Sequence, residues 1–369
     1  MSMSHHHASA TPQSIAPPPT AGRILLLALA IIGGLAGLAP RLTAQGCIAA
    51  RFMSLSLGPD GLEQLQPGQW QVGANLRYLY ADEGWRGTNY WPDYATIVGN
   101  QITIVSLDTQ ATYQFNPRIS VTGTLPYINA QTSNYVEHDG TRHTVNAHGI
   151  GDIRVGGTAW LLDPATHHNG NVSLGLSLKM PTGKSAATAI FHKPTGLETR
   201  PVDIAAQPGD GGWGLNLEAA GFWKFSPRIY GYANGYYLIN PRNTNSGYTP
   251  TPVFGEVRKF SVADQYLVRA GFSFTNWPVT GLSASLGLRL NGIPPFDLVG
   301  GSDGFRRPGY VTYVEPGLNW TRGQYNFSLF VPVRIDANRL RNIYERPRNV
   351  DGGGAFASFL VVTGITRTF

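Results

Sequence analysis

Apolar and polar residues alternate with a period of two along most of the chain after residue 70. In Val172–Met180 and Leu282–Leu290, apolar side chains fall on one face, and Ser, Gly, Lys or Arg fall on the other. This alternation is typical of β-strands. We predict twelve strands, at residues 70–80, 101–115, 119–133, 149–162, 171–180, 212–225, 229–240, 264–275, 281–292, 309–321, 324–334 and 355–369.

The predicted connections alternate strictly between short and long. Tight turns such as Asn116–Arg118 and Ser226–Arg228 join even-numbered to odd-numbered strands, with Asn or Ser first and Pro second as in type I turns. Every odd-to-even connection is long, so all long loops lie at one end, as in barrels with short periplasmic turns and long outer loops. We therefore predict an all-β fold, a transmembrane antiparallel up-and-down β-barrel of about twelve strands over residues 70–369, in the outer membrane of a Gram-negative bacterium.

Aromatic residues recur at the predicted periplasmic ends of the strands. Barrels of this class carry aromatic girdles at the level of the lipid headgroups. The predicted periplasmic aromatic girdle consists of Trp70, Trp160, Trp223, Trp277, Trp320 and Phe369.

Only 14% of the residues are charged, and within the strands they fall on the face opposite to the apolar one. Because Arg or Lys facing lipid near the midplane costs about 2–4 kcal/mol, these side chains should point inward. Twelve strands leave a narrow lumen, which we expect to be wet and slightly cation-repelling. The predicted lumen-lining residues are Arg77, Asp108, Asp152, Arg154, Lys179, Glu218, Lys224, Arg269, Arg289, Glu315 and Arg334.

The first 44 residues read as a signal peptide, in which Arg23 precedes the apolar run Ile24–Ala39 and a small-residue cleavage site follows. A membrane anchor is the alternative, although the run is short for a spanning helix. The single cysteine, Cys47, is either unmodified or the lipidated residue of a lipoprotein. We expect residues 45–69 to form a periplasmic tail or a partial plug of the lumen, in which Leu55, Leu57, Leu62 and Leu65 would make the apolar contacts.

Residues that could carry chemistry are few. His138, His143 and His148 recur in the second outer loop, but without helical spacing or a nearby Cys, so we predict no metal site and no cofactor. The chain contains no Gly-x-Ser-x-Gly motif, and we predict that it is not an enzyme. An outer-membrane hydrolase and a structural or adhesive barrel remain the alternatives to passive transport of small molecules.

Three Gly-rich stretches and the C-terminus carry a family resemblance. The stretches are Gly149-Ile-Gly-Asp-Ile153, Leu178-Lys-Met-Pro-Thr-Gly183 and Gln207-Pro-Gly-Asp-Gly-Gly-Trp-Gly214. They resemble the outer-membrane transporter-like family named for the meta-pathway of phenol degradation. The resemblance implies a channel for aromatic or other apolar compounds. The final strand, with its terminal Phe369, resembles the signal by which the barrel-assembly machinery recognises its substrates.

Two further hypotheses concern the wall and the outer rim. Pro126 lies inside the third strand, and Pro donates no ladder hydrogen bond, so a kink there would open a lateral gate to the fourth strand, lined by Leu125 and Tyr127. The alternative is an ordinary bulge. Basic residues in the outer loops should contact lipopolysaccharide phosphates or guide an anionic substrate. They are Arg258, Lys259, Arg306, Arg307, Arg339, Arg341, Arg346 and Arg348.

Overall fold

The structure is a computed structural model, which describes residues 65–94, 101–134, 141–193, 195–276 and 279–369. It consists of β-strands and one short 3₁₀ helix, Ile204–Ala206. The strands are β1 Trp70–Arg86, β2 Asn89–Trp91, β3 Gln101–Gln114, β4 Ile119–Asn134, β5 His143–Ile150, β6 Arg154–Trp160, β7 Gly170–Lys179, β8 Thr188–Lys193, β9 Gly196–Pro201, β10 Gly214–Ser226, β11 Ile229–Ile239, β12 Thr244–Tyr248, β13 Lys259–Ser261, β14 Gln265–Thr275, β15 Leu282–Ile293, β16 Gly309–Arg322, β17 Tyr325–Phe330, β18 Val333–Arg339 and β19 Gly354–Thr368.

Within these residues, twelve antiparallel strand positions close into a barrel, which confirms the predicted fold. Ten positions are single strands, β5 and β6 share the fourth, and β17 and β18 share the eleventh. The last strand closes the barrel by pairing with the first, from Gln71 opposite Thr368 to Trp85 opposite Gly354. The closed ladder leaves no free sheet edge around the barrel base.

The two interrupted strands differ from the sequence prediction. The fourth begins at His143 and breaks at residues 151–153, and the eleventh breaks at Val331 and Pro332. Pro332 has no N–H to donate, and its carbonyl accepts from Leu360 (2.9 Å). Apolar and polar residues alternate on both sides of each break, so the sequence pattern alone predicts one continuous strand at each of these two positions.

The barrel is apolar outside and polar inside. On β14, Val268, Phe272 and Phe274 are 40–53% exposed on the outer face, whereas the alternating Arg269 and Ser273 are 6% and 3% exposed. The other strands repeat this arrangement, which is the reverse of a water-soluble protein. An apolar exterior with a polar interior is what a barrel needs in order to sit in a bilayer.

Short elements form in the long connections at the outer end of the barrel. They are β2, the hairpin β8–β9, the 3₁₀ helix and the hairpin β12–β13. Ile204, Phe260 and Phe305 form a small apolar core there, with Val253 and Tyr344 against it. In the described part of the chain, no helix is long and apolar enough to cross a membrane.

Most outer-loop arginines pair with acidic side chains of the protein itself. Arg306 pairs with Asp297 and is 1% exposed. The other acid-paired residues in this region are Arg258, Arg307, Arg339 and Arg341. The prediction that Arg306 and Arg307 form part of a free basic rim is therefore wrong. The sequence showed their charge but not the distant carboxylates that neutralise it.

Candidate functional site

A layer of charged side chains crosses the lumen. Arg154 lies 3.6 Å from Asp108, Lys179 contacts Asp152 and Asp210, and Glu315 contacts both Arg269 and Arg289. Arg77 and Glu218 belong to the same layer, where Asn216 and Ser177 donate to Glu218. Apart from Asp210, the ion-paired side chains named here are 1–8% exposed. These charged side chains are therefore packed against one another and against the wall.

The charges of this layer balance among the described residues. Arg77, Arg154, Lys179, Arg269 and Arg289 face Asp108, Asp152, Asp210, Glu218 and Glu315. Arg334 pairs with Glu83 nearby, and Lys224 lies farther along β10, 5.7 Å from the ring of Tyr230. Sequence reasoning missed Asp210 and Glu83, because Asp210 comes from a loop and Glu83 follows a bulge. The balance argues against the cation-repelling interior that the sequence predicts.

On the extracellular side of this layer, the lumen is lined by apolar side chains and occupied by part of the chain. Residues 180–213, which connect β7 to β10 and are called the inserted loop here, contribute Ala187, Phe191, Val202 and Ala206 to a buried apolar cluster. We call this cluster the outer apolar core. Its members from the barrel wall include Leu79, Ile102, Ile104, Ile128, Ala130, Val145, Ala147, Val311, Tyr313 and Leu360. The inserted loop therefore fills the outer half of the barrel.

The barrel wall is broken beside this core. The β6–β7 ladder ends at Arg154 opposite Lys179, and β5 then continues outward with β4 as its only paired neighbour in the described chain. On the other side, β8 of the inserted loop lies against β5 without forming a ladder, and the rings of His143 and His192 stack with centroids 3.7 Å apart. We call the seam between β5 and residues 180–193 the wall break.

The three Gly-rich stretches that carry the family resemblance meet at the inner end of the wall break. The Asp152 carboxylate accepts from the backbone N–H of Gly183 and of Asp210, each at 3.0 Å. The Thr182 hydroxyl accepts from Ile153 N–H (2.9 Å) and donates to the Gly151 carbonyl (2.8 Å). A Cβ on Gly209 would lie 2.5 Å from the backbone of Gly183, so only glycine fits this crossing. Side chains thus replace the missing ladder here.

The lateral-gate candidates lie one seam away from the wall break. Leu125 and Tyr127 are 43% and 46% exposed on the outer face, and Pro126 is buried opposite Asp108 in an unbroken β3–β4 ladder. On its other side, the Pro126 carbonyl accepts from Gly151 N–H at 2.8 Å. The predicted window between the third and fourth strands is therefore bridged. The bulge at residues 151–153 lies opposite Pro126, which has no N–H to donate, so no ladder hydrogen bond is lost there.

Two ion pairs tie the inserted loop to the rest of the chain, and hydrogen bonds of Gln207 stabilise the fold of the loop itself. Its inner end is tied by Asp210 to Lys179. The buried Gln207 side chain accepts from Ala187 N–H (2.7 Å) and donates to the Val202 carbonyl (3.0 Å). Asp203 pairs with Arg307 of another outer loop. Burial alone raises the pKa of Asp203, but Arg307 outweighs burial and holds that pKa below its usual value.

Most residues of the predicted periplasmic girdle lie on the outer face. Trp70, Trp320 and Phe369 are 50%, 37% and 55% exposed, and Trp223 alternates outward with Leu215 and Leu217 on β10. Trp160 differs, because it pairs in register with the inward-facing Ser173 and its ring lies 6.1 Å from that of Phe222. Its ring therefore lies at the periplasmic mouth of the lumen. Trp277 lies outside the described residues.

The remaining candidates add no chemistry. The described residues contain no group of His, Cys, Asp and Glu that could hold a metal ion, and His138 lies outside them. His148 is exposed on β5, away from the His143–His192 stack. Cys47, the signal peptide and nearly all of the predicted N-terminal plug also lie outside the described residues.

Comparison with known proteins places the fold. No protein-family model matches the chain, and no curated protein matches it. Among solved structures, the COG4313 outer membrane channel from Pseudomonas putida F1 is 13% identical over 86% of this chain and 100% of that chain, with a TM-score of 0.57. The CymD monoaromatic hydrocarbon channel is 13% identical over 90% and 99%, with a TM-score of 0.42. The beta domain of the Bordetella autotransporter BrkA is 12% identical over 82% and 100%, with a TM-score of 0.45. The likeness to the first shows that this chain has the fold of an outer-membrane channel.

Proposed function

We propose that the protein is an outer-membrane channel through which small, mainly apolar molecules pass by diffusion. The observation that carries the proposal is the wall break beside the outer apolar core. Once the inserted loop withdraws, a molecule that enters from outside meets apolar side chains such as Ile104, Ile128 and Val145. Below them it meets the charged layer, where an apolar molecule would have to displace paired and hydrogen-bonded groups.

This arrangement favours a lateral route, in which the molecule leaves the outer apolar core through the barrel wall and enters the lipid. Val145 and Ala147 on β5 line the outer apolar core, and the same strand borders the wall break. An apolar molecule gains free energy by leaving the core for the lipid rather than for the periplasmic water. We therefore place the lateral gate at the wall break, one seam away from Leu125, Pro126 and Tyr127, where the sequence predicted it. Leu125 and Tyr127 are lipid-facing residues near this gate.

The inserted loop favours transport over a purely structural role for the barrel. A structural barrel needs only side chains to fill its lumen. Here a loop of more than thirty residues folds into the barrel, joins the outer apolar core and is tied by hydrogen bonds and ion pairs, and we assign it as a plug that withdraws during transport. The resemblance to the family named for the meta-pathway of phenol degradation supports apolar or aromatic substrates.

The same proposal assigns partners at both ends. Phe369 exchanges backbone hydrogen bonds with Trp70 (2.8 and 3.3 Å) and is the residue by which the barrel-assembly machinery would recognise the chain. At the outer end, Arg346 and Arg348 donate to backbone carbonyls and lie over the rings of Phe296 and Phe254. These two arginines are our candidates for contact with lipopolysaccharide phosphates.

Dye entry into intact Gram-negative cells tests the function. Cells that express the protein are compared with cells that lack it, using the apolar dye N-phenyl-1-naphthylamine and, separately, a hydrophilic β-lactam cleaved in the periplasm. We expect faster entry of the dye and little change for the β-lactam. The opposite result would indicate an aqueous pore, and no change in either would indicate a structural barrel.

A further inference from the structure

Arg289 lies where the charged layer meets the outer apolar core. On β15 it is in register with Tyr313 of β16, which is 1% exposed and belongs to that core. One step outward on the same face, Asn291 pairs with Val311, another residue of the core. The Arg289 guanidinium therefore lies at the floor of the apolar region.

Only part of the Arg289 guanidinium is engaged. Its Nη1 donates to Glu315 (3.2 Å) and its Nε donates to Asn291 (3.2 Å). Its Nη2 is buried and has no hydrogen-bond partner among the described residues. Arg289 as a whole is 3% exposed. A buried N–H of a charged group without an acceptor is costly, so such a group marks a place where an acceptor is expected.

The surroundings of Arg289 favour an acceptor that carries a negative charge. Arg269 stands directly opposite Arg289 on β14, and the two guanidiniums share the single carboxylate of Glu315. Arg77 and Arg289 both act electrostatically on the Tyr313 hydroxyl. The acids that balance the whole layer include Asp152 and Asp210, which are engaged with Lys179. Positive charge is therefore in local excess beside Tyr313.

We propose that Arg289 binds the carboxylate of a mainly apolar monocarboxylic acid, whose apolar body occupies the outer apolar core when the inserted loop withdraws. The proposal rests on the proposed function and narrows its substrate class. A guanidinium suits a carboxylate because its N–H groups match the two oxygens. The aliphatic and aromatic side chains above Arg289 suit the rest of such a molecule, and Tyr313 lies between the two regions.

Binding measured in detergent tests the proposal without requiring passage through a membrane. The probes are 4-phenylbutyrate and its neutral analogue 4-phenylbutanol, titrated calorimetrically into the native barrel and into two variants. Arg289→Gln removes the free N–H and its charge. Arg269→Gln is the matched control, because Arg269 also contacts Glu315 but has no buried nitrogen without a partner among the described residues.

We expect the native protein to bind the acid at least tenfold more tightly than the alcohol, and Arg289→Gln to abolish that preference. Arg269→Gln should keep most of it, and Arg289→Lys, which retains the charge, should keep part of it. Equal binding of acid and alcohol by the native protein, no acid binding at all, or equal losses in the two Gln variants would overturn the proposal. Entry of the apolar dye into cells would remain intact in those cases, so failure here is distinguishable from failure of the proposed function.

Discussion

Asp203 and Arg307 join two outer loops through a pair of parallel hydrogen bonds. The two guanidinium nitrogens of Arg307 donate to the two carboxylate oxygens of Asp203 at 2.6 and 2.5 Å. Asp203 also caps the 3₁₀ helix by accepting from Ala205 N–H at 2.9 Å. That helix places Ala205 and Ala206 in the outer apolar core. The ion pair therefore holds the outer side of the inserted loop.

Breaking this pair should loosen the inserted loop. A hydrogen bond between charged groups contributes about 1.5–3 kcal/mol, so Asp203→Asn should raise the population with a withdrawn loop roughly tenfold or more. Dye entry into cells should rise accordingly. The matched control is Asp351→Asn, which breaks an exposed outer-loop pair with Arg341 and should leave entry unchanged. Equal entry in the native protein and Asp203→Asn would contradict the assignment of this pair as a latch.

The pH dependence of the same latch follows from the pKa of Asp203. That pKa lies below its ordinary value in the folded protein, so the folded state favours the carboxylate. Its stabilising effect is therefore fully present above the pKa of an unfolded aspartate, about 4, and is lost as pH falls through the lower folded pKa.

The Asp203–Arg307 latch should accordingly contribute no difference in dye entry between pH 7 and pH 5, measured in liposomes that contain the protein. Dye entry should increase only below about pH 4, and Asp203→Asn should remove that change. A rise in dye entry between pH 7 and pH 5 in the native protein that Asp203→Asn abolishes would show that the pKa of Asp203 is not lowered in the folded protein.

Glu315 should matter for stability because it separates two like charges. It is 1% exposed, and without it Arg269 and Arg289 would face each other across the β14–β15 ladder. Removing one partner from a buried ion pair costs about 3–5 kcal/mol. Urea unfolding of Glu315→Gln in detergent should show a loss of this order. Glu256→Gln, which alters a side chain that is 67% exposed, should cost less than about 1 kcal/mol. Similar losses in the two variants would show that the bridge is unimportant.

The alternation of residues sufficed to predict the strands and the side of the wall that each charge occupies. Arg269, Arg289 and Glu315 follow apolar neighbours in strict alternation, and a charge on the lipid face is too costly to be the alternative. The pattern could not give the partner of Lys179, because Asp210 lies 31 residues away in a loop. The faces of short, Gly-rich strands were also ambiguous, which is why Trp160 was assigned to the girdle.

The wall break could be predicted only in part. The sequence placed the opening at Pro126, between the third and fourth strands, since a Pro in a ladder must be accommodated, and that position was wrong. The bulge at 151–153 accommodates it, and the ladder fails on the far side of that bulge instead. Which seam opens depends on how residues 180–193 leave the barrel, and no local pattern specifies that path.

Sideways passage through the wall break is the central claim, and a removable cross-link tests it most directly. In a Cys47→Ser background, His143→Cys and His192→Cys place thiols where the two rings stack at 3.7 Å, one on each side of the break. The paired cysteines are joined by a short cleavable reagent, and each single-cysteine variant treated with the same reagent is the control. Dye entry into intact cells should fall to the level of cells that lack the protein and recover after the link is cleaved. Undiminished entry through a fully cross-linked barrel would contradict the account.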